Sequence, residues 1–154
     1  MARATLLTPE IRAWIGRTYP PIVAQVSARD FEKFCAASGE EDPQALTSDD
    51  VAPPLFYMAV TGRVSPFSRL REDGLPAENL LPALPLKRLM AGGVDVELRA
   101  PIRAGDTLTS VTRLADIRER MGQSGPLIFS VLETTITNQR DEIVVIERTT
   151  VIAR

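Results

Sequence analysis

The last third of the chain leaves the least freedom: residues 107–121, 126–138 and 143–154 are three long β-type runs separated only by short turn segments. They are rich in Thr, Val and Ile, which suit a pleated, half-buried surface. Gly122-Gln123-Ser124-Gly125 and "QRDE" (139–142) provide the breaks between them, which predicts an antiparallel meander. An earlier run, "VDVELR" (94–99), alternates Val94, Val96 and Leu98 with Asp95, Glu97 and Arg99. That period of two predicts a half-buried antiparallel strand. Pro101 and Gly105-Asp106 then turn the chain into 107–121. Ile128, Phe129, Val131 and Leu132, like Ile143 to Ile146, are apolar at consecutive positions, so both faces need cover: a helix on one side, a second sheet or subunit on the other.

The helix comes from "ARDFEKFCAAS". Ser27 reads as its N-cap, with Asp30 where a capping-box acid would sit. Phe31, Phe34, Cys35 and Ser38 share one face over about three turns, and the helix ends near Gly39. Cys35 lies on that apolar face and reads as a core residue with no activating partner. After Pro20-Pro21, "IVAQV" (22–26) reads as a short strand. Between Gly39 and Pro85, prolines at 43, 53, 54, 66, 76, 82 and 85 exclude a long helix or central strand through the whole span. A short helix starting near Pro54 fits proline's preference for the first turn. So long an irregular segment is usually functional or packs against a partner. The class is α+β in a single domain, 1–154: a curved antiparallel sheet wrapped around a central helix, with an edge and a face that call for a dimer.

Composition narrows the function. A formal charge of −2 gives no footprint for nucleic acid or an anionic membrane. No apolar run approaches the roughly 20 residues of a spanning helix. The N-terminal "MARATLLTPEIRAW" is too short in apolar residues for a signal peptide and breaks at Thr8-Pro9, so a cytoplasmic location is expected. One cysteine excludes an internal disulfide or a cysteine-built metal cage, and no metal site is expected. The chain contains no histidine. That rules out Ser-His-Asp and Cys-His nucleophilic sites, His-ligated metals and an Asp/His pair built from this chain. Acid–base chemistry must use a carboxylate, Lys or Tyr, or come from another chain.

With these elements in order, the sequence resembles the hotdog fold, and specifically the N-terminal, fatty-acid-synthase-like type of the MaoC-like dehydratases. The resemblance rests on "APPLF" (52–56), "LPLKRLMAGGVDVELRAPIRAGDTLT" (84–109), "SGPLIFSVLETTITNQ" (124–139), "ERTTVIAR" (147–154) and "FEKFCAASGEEDP" (31–43), nearly the whole chain. It implies reversible hydration of an enoyl thioester, or dehydration of a 3-hydroxyacyl thioester, in fatty acid or polyketide metabolism. The substrate would ride on coenzyme A or an acyl carrier protein, with no cofactor. Active relatives carry a Gly-Asp-x-Asn-Pro-x-His motif after the first helix. Here the matching stretch is "GEEDPQA" (39–45), with Glu40 in place of the Asp and Ala45 in place of the His. A His that often precedes the glycine pair in this type is replaced by Ala91.

The resemblance therefore implies a non-catalytic half of a two-part enzyme, a heterodimer or larger hetero-oligomer whose catalytic hotdog subunit brings Asp and His. Pro54, Phe56 and Tyr57 on the short helix, and Met90, Gly92 and Gly93 at a turn, would line the acyl tunnel. Arg99 and Arg103 would pair with coenzyme A phosphates or remain solvated turn charges. Two other readings stay open. One is a self-sufficient enzyme using Glu40, Glu41 or Asp42, since a carboxylate of raised pKa can serve as acid and base. The other is a thioester-binding or regulatory module without chemistry.

Overall fold

The computed structural model describes residues 5–39 and 51–154. Its frame is one five-stranded antiparallel sheet: β1 (Ile22–Gln25), β2 (Leu89–Leu98), β3 (Thr107–Gly122), β4 (Gly125–Thr137) and β5 (Ile143–Ala153), in spatial order β1-β3-β4-β5-β2. The predicted meander is β3-β4-β5, each within a residue or so of its expected bounds. Gly122 pairs with Gly125, so Gln123-Ser124 form a two-residue hairpin tip. Strand β2 pairs with β5 rather than with β3, so residues 99–106 carry the chain from one side of the sheet across to the other.

Among the described residues, α1 (Pro9–Arg12), α2 (Ala28–Ala37) and α3 (Tyr57–Thr61) are α-helical, and Phe67–Arg69 form a 3-10 turn. The capping box of α2 forms as its sequence predicts. Ser27 Oγ accepts from Asp30 N, while the Asp30 carboxylate accepts from Ser27 N. Thr8-Pro9 starts a helical turn instead of breaking one, because Thr8 caps it and proline sits in its first turn. The short helix expected from Pro54 begins at Tyr57. Pro53 to Phe56 form a turn in which Leu55 has φ +65°, a conformation costly for a branched side chain.

Register puts Leu108, Ser110, Thr112, Leu114, Ile128, Ile136, Val145, Glu147 and Ala153 on the same face of the sheet, the inner one. Two separate apolar groups cover it. At one end α2 and α3 contribute Phe31, Phe56 and Tyr57, packed on Leu108, Ile136 and Val145. At the other, Leu7 and Ile11 of the α1 region and Leu81, Leu84 and Leu86 cover Leu114, Ile117 and Ile128. Cys35 is buried in α2.

The outer face carries charge. Arg113 on β3 bonds Glu133 on β4 at 2.7 Å, Glu133 accepts from Arg148 on β5 at 2.8 Å, and Arg148 also bonds Glu97 on β2. The Arg113 guanidinium, and then Arg148, hold Glu133 below the usual carboxylate range; Arg148 does the same for Glu97.

Two expectations need correction. The Met90–Gly93 stretch is no turn: β2 already begins at Leu89, and the glycines form a β-bulge between Ala91 and Gly93. A Cβ on Gly92 would lie 2.8 Å from side-chain atoms of Ile152 and Thr150, so glycine here lets β2 lie close on β5. Nor is 94–99 half-buried throughout. Val94 and Leu98, on the inner face, are 62% and 55% exposed, because no described residue covers the outermost strand there. Among the described residues no helix is long and apolar enough to cross a membrane.

Candidate active site

Between the two apolar groups the inner face turns polar. Thr112, Thr134 and Glu147 lie side by side on β3, β4 and β5, with Ser110 one inward position along β3 and Thr149 one along β5. Thr112 and Thr134 share a 2.8 Å hydroxyl–hydroxyl bond, and Thr149 Oγ1 donates to Glu147 Oε1 at 3.2 Å. Helix α3 stands over this row. Phe56, the residue before it, is wedged edge-on against Phe31 and Phe34, with ring centroids 4.7 and 5.7 Å away. That anchor aims Tyr57 at the sheet, where its hydroxyl donates to Glu147 Oε2 at 2.6 Å. Thr61 Oγ1 donates to the Tyr57 carbonyl at 2.7 Å, tying down the far end of the short helix. Burial, then the Glu147 carboxylate, push the Tyr57 phenol well above its ordinary pKa. It therefore remains a protonated donor throughout the neutral range.

Tyr57 separates two clefts. The first, about 300 Å³, is lined mainly by apolar groups, among them Pro53, Pro54, Leu55, Leu98, Ile102 and Val145. The second, about 330 Å³, lies over the polar row. Its walls are Tyr57, Met58 and Thr61 from α3, Ser110, Thr112, Thr134 and Glu147 from the sheet, and Tyr19 and Ile22. Arg63 stands at its rim, with its guanidinium 3.9 Å above the Tyr19 ring and donating to Pro20 O. Tyr19 also borders a third, more apolar groove that runs past Leu75 and Leu81 to Leu89, Met90 and Val151 beside the open edge.

The residues singled out from sequence fall into different places. Pro54 and Tyr57 line the first cleft, and Tyr57 is shared with the second. Met90 borders the edge groove. Phe56 is fully buried and acts by anchoring Tyr57 rather than by lining a wall. Gly92 and Gly93 belong to the bulge and border none of these clefts. Arg99 lines the first cleft but is ion-paired to Glu97. Glu40, Glu41 and Asp42 lie outside the described residues. No group of three or more His, Cys, Asp or Glu suited to a metal occurs among the described residues.

Glu147 and the hydroxyl row are what residue-type reasoning missed. Their signal was present: Ser110, Thr112, Thr134 and Glu147 occupy the same parity as Leu108, Leu114, Ile136 and Val145.

Comparison with known proteins gives one consistent answer. Residues 13–147 match the family described as the FAS1-like, dehydratase domain region. The chain is 32% identical over 122 residues to a mesaconyl-C(4)-CoA hydratase of Chloroflexus aurantiacus, a match covering 76% of this chain but only 41% of that protein. In fold it is similar to a MaoC-like dehydratase from Rhodospirillum rubrum, at 21% identity and TM-score 0.57 over 90% of this chain and 91% of that one. It is also similar to the ChsH1-ChsH2 complex from Mycobacterium tuberculosis, at 15% identity and TM-score 0.62 over 94% and 86%.

Proposed function

Since the chain belongs to the FAS1-like, MaoC-like family of hotdog dehydratases and hydratases, we propose that it is the tunnel-forming, non-catalytic subunit of a hydro-lyase acting on acyl thioesters. A partner hotdog subunit supplies the Asp and the His. The observation that carries this reading is a chain without histidine whose apolar cleft reaches Leu98, on a sheet edge that no described residue covers.

The chemistry divides accordingly. In dehydration a base removes the α-proton of the 3-hydroxyacyl thioester, an acid protonates the β-hydroxyl, and water leaves as the double bond forms. Both proton transfers fall to the partner. This chain holds the acyl group in line, with Tyr57 and Glu147 fixed against each other on one wall and α3 held by the Phe31–Phe56–Phe34 stack. Orientation of this kind lowers the barrier without any proton changing hands on the tunnel subunit.

Two surfaces suit the partner. The inner side of β2 presents Val94 and Leu98 more than half exposed, and among the described residues its outer edge has no neighbouring strand. Val64 and Phe67, each 91% exposed, project from the proline-rich segment. Exposed apolar groups beside an open edge are what a protein leaves for a partner to cover. The ChsH1-ChsH2 fold relative is itself a complex. Co-expression with an Asp/His-bearing hotdog subunit from the same genome tests the assignment. A stable mixed oligomer by native mass measurement is expected. A homodimer that ignores the co-expressed subunit would refute it.

A further inference from the structure

Resting on the thioester reading above, we propose that the cleft between α3 and the sheet selects a short acyl group bearing an oxygen substituent beyond its β-carbon, rather than a plain alkyl chain.

Apolar ligands are held by Leu, Ile, Val and aromatic walls, with only a few polar groups to fix orientation. This chain has such material on the same face: Leu108, Ile136 and Val145 on one side of the cleft, Leu114, Ile117 and Ile128 on the other. Between them, on three adjacent strands, the inward positions change to Ser110, Thr112, Thr134 and Glu147. Thr and Val have nearly the same shape and both suit a strand, so space and β-propensity do not account for the hydroxyls. Sealing these oxygens under methylene groups would strip water from them and return no hydrogen bond. An alkyl chain is therefore penalised here, and an oxygenated one is repaid.

The partners also set the ligand's chemistry. Thr112 and Thr134 bond each other, and that pair still has lone pairs and one free proton to offer. Glu147 accepts from Tyr57 and Thr149, one on each oxygen, and retains acceptor capacity for a ligand hydroxyl. Arg63 at the rim has no ion-pair partner among the described residues and suits a ligand carboxylate. The shared chemistry is an oxygen-bearing acyl tail; hydroxyl and carboxylate are its two forms. The volume of about 330 Å³ is at the small end of ligand pockets, roughly 300–1,000 Å³, which favours a short tail.

The test is equilibrium binding of three four-carbon thioesters to the co-purified complex of this chain with its partner subunit: butyryl-CoA, 4-hydroxybutyryl-CoA and succinyl-CoA. At least one oxygenated ligand should bind about tenfold tighter than butyryl-CoA, the scale of one well-made hydrogen bond. The double substitution Thr112→Val with Thr134→Val, which keeps shape and strand preference, should erase most of that gap. Arg63→Met, at an exposed site, distinguishes the two forms: it weakens succinyl-CoA selectively if the tail is a carboxylate and leaves the preference intact if it is a hydroxyl. Butyryl-CoA binding as tightly as both, or a gap that survives the double substitution, overturns the inference while the tunnel-subunit reading stands. Failure of all three thioesters to bind overturns both.

Discussion

Strands β4 and β2 lie two places apart in one sheet and both turn apolar side chains to its inner face, yet only β4 is closed. In β4, Ile128 and Ile136 are sealed between neighbouring strands and the helical layer. In β2, Val94 and Leu98 point to the same side of the sheet and are more than half exposed, while Val96 between them packs on the core. An apolar pattern says which face avoids water but not which chain covers it.

The comparison can be broken most forcefully from the centre. Phe56→Ala removes the ring that joins α2 to α3, and should cost about 3–5 kcal/mol, the usual loss for a buried Phe. Urea denaturation measures it; a loss below about 1 kcal/mol would mean that the α2–α3 layer is not part of the cooperative core. Tyr57→Phe keeps the ring and deletes only the bond to Glu147. A loss of about 1.5–3 kcal/mol is expected for a hydrogen bond to a charged group, read from the same denaturation curves.

Acid should sharpen the contrast by acting on β2 first. Glu97 and Glu133 titrate below their ordinary range because Arg148 and Arg113 favour the ionised form. Depressed carboxyls contribute stability above the unfolded value, about 4.3, and that contribution is lost as pH falls through the lower folded value. The guanidiniums are partly exposed, so the effect is modest beside the core substitutions. Hydrogen exchange below about pH 4, compared with neutral pH, should show amides shared by β2 and β5 losing protection before those shared by β3 and β4. Glu133→Gln should flatten the pH dependence of the denaturation midpoint. The smallest effect on the isolated chain belongs to the bare edge: Val94→Lys should change stability by no more than about 0.5 kcal/mol. The same substitution should abolish association with the catalytic subunit, which size-exclusion chromatography of the mixture would show.

Much of this architecture was legible because it is local. The three long strands follow from Thr-, Val- and Ile-rich runs between short turns, and the start of α2 from a capping box only four residues long. The start of β2 was hidden because its first residues include two glycines at a bulge and lie at an uncovered edge, where no alternation is enforced. Thr8-Pro9 was read as a break because proline opens helices as readily as it ends them. The position of β2 beside β5 depends on pairing between residues about fifty apart, which no local pattern encodes. The candidate site divides the same way. Tyr57 stood out by residue type, whereas Glu147 became meaningful only once register put it opposite Thr134 and under α3.

The central claim is that this chain shapes a tunnel and a second chain does the chemistry. Hydration of crotonyl-CoA by the purified chain, by the Asp/His-bearing subunit, and by the two together tests it most directly. This chain alone should give no turnover, and the mixture should give turnover that falls when Tyr57 is replaced by Phe. Sustained hydration by the purified chain without any partner would contradict it.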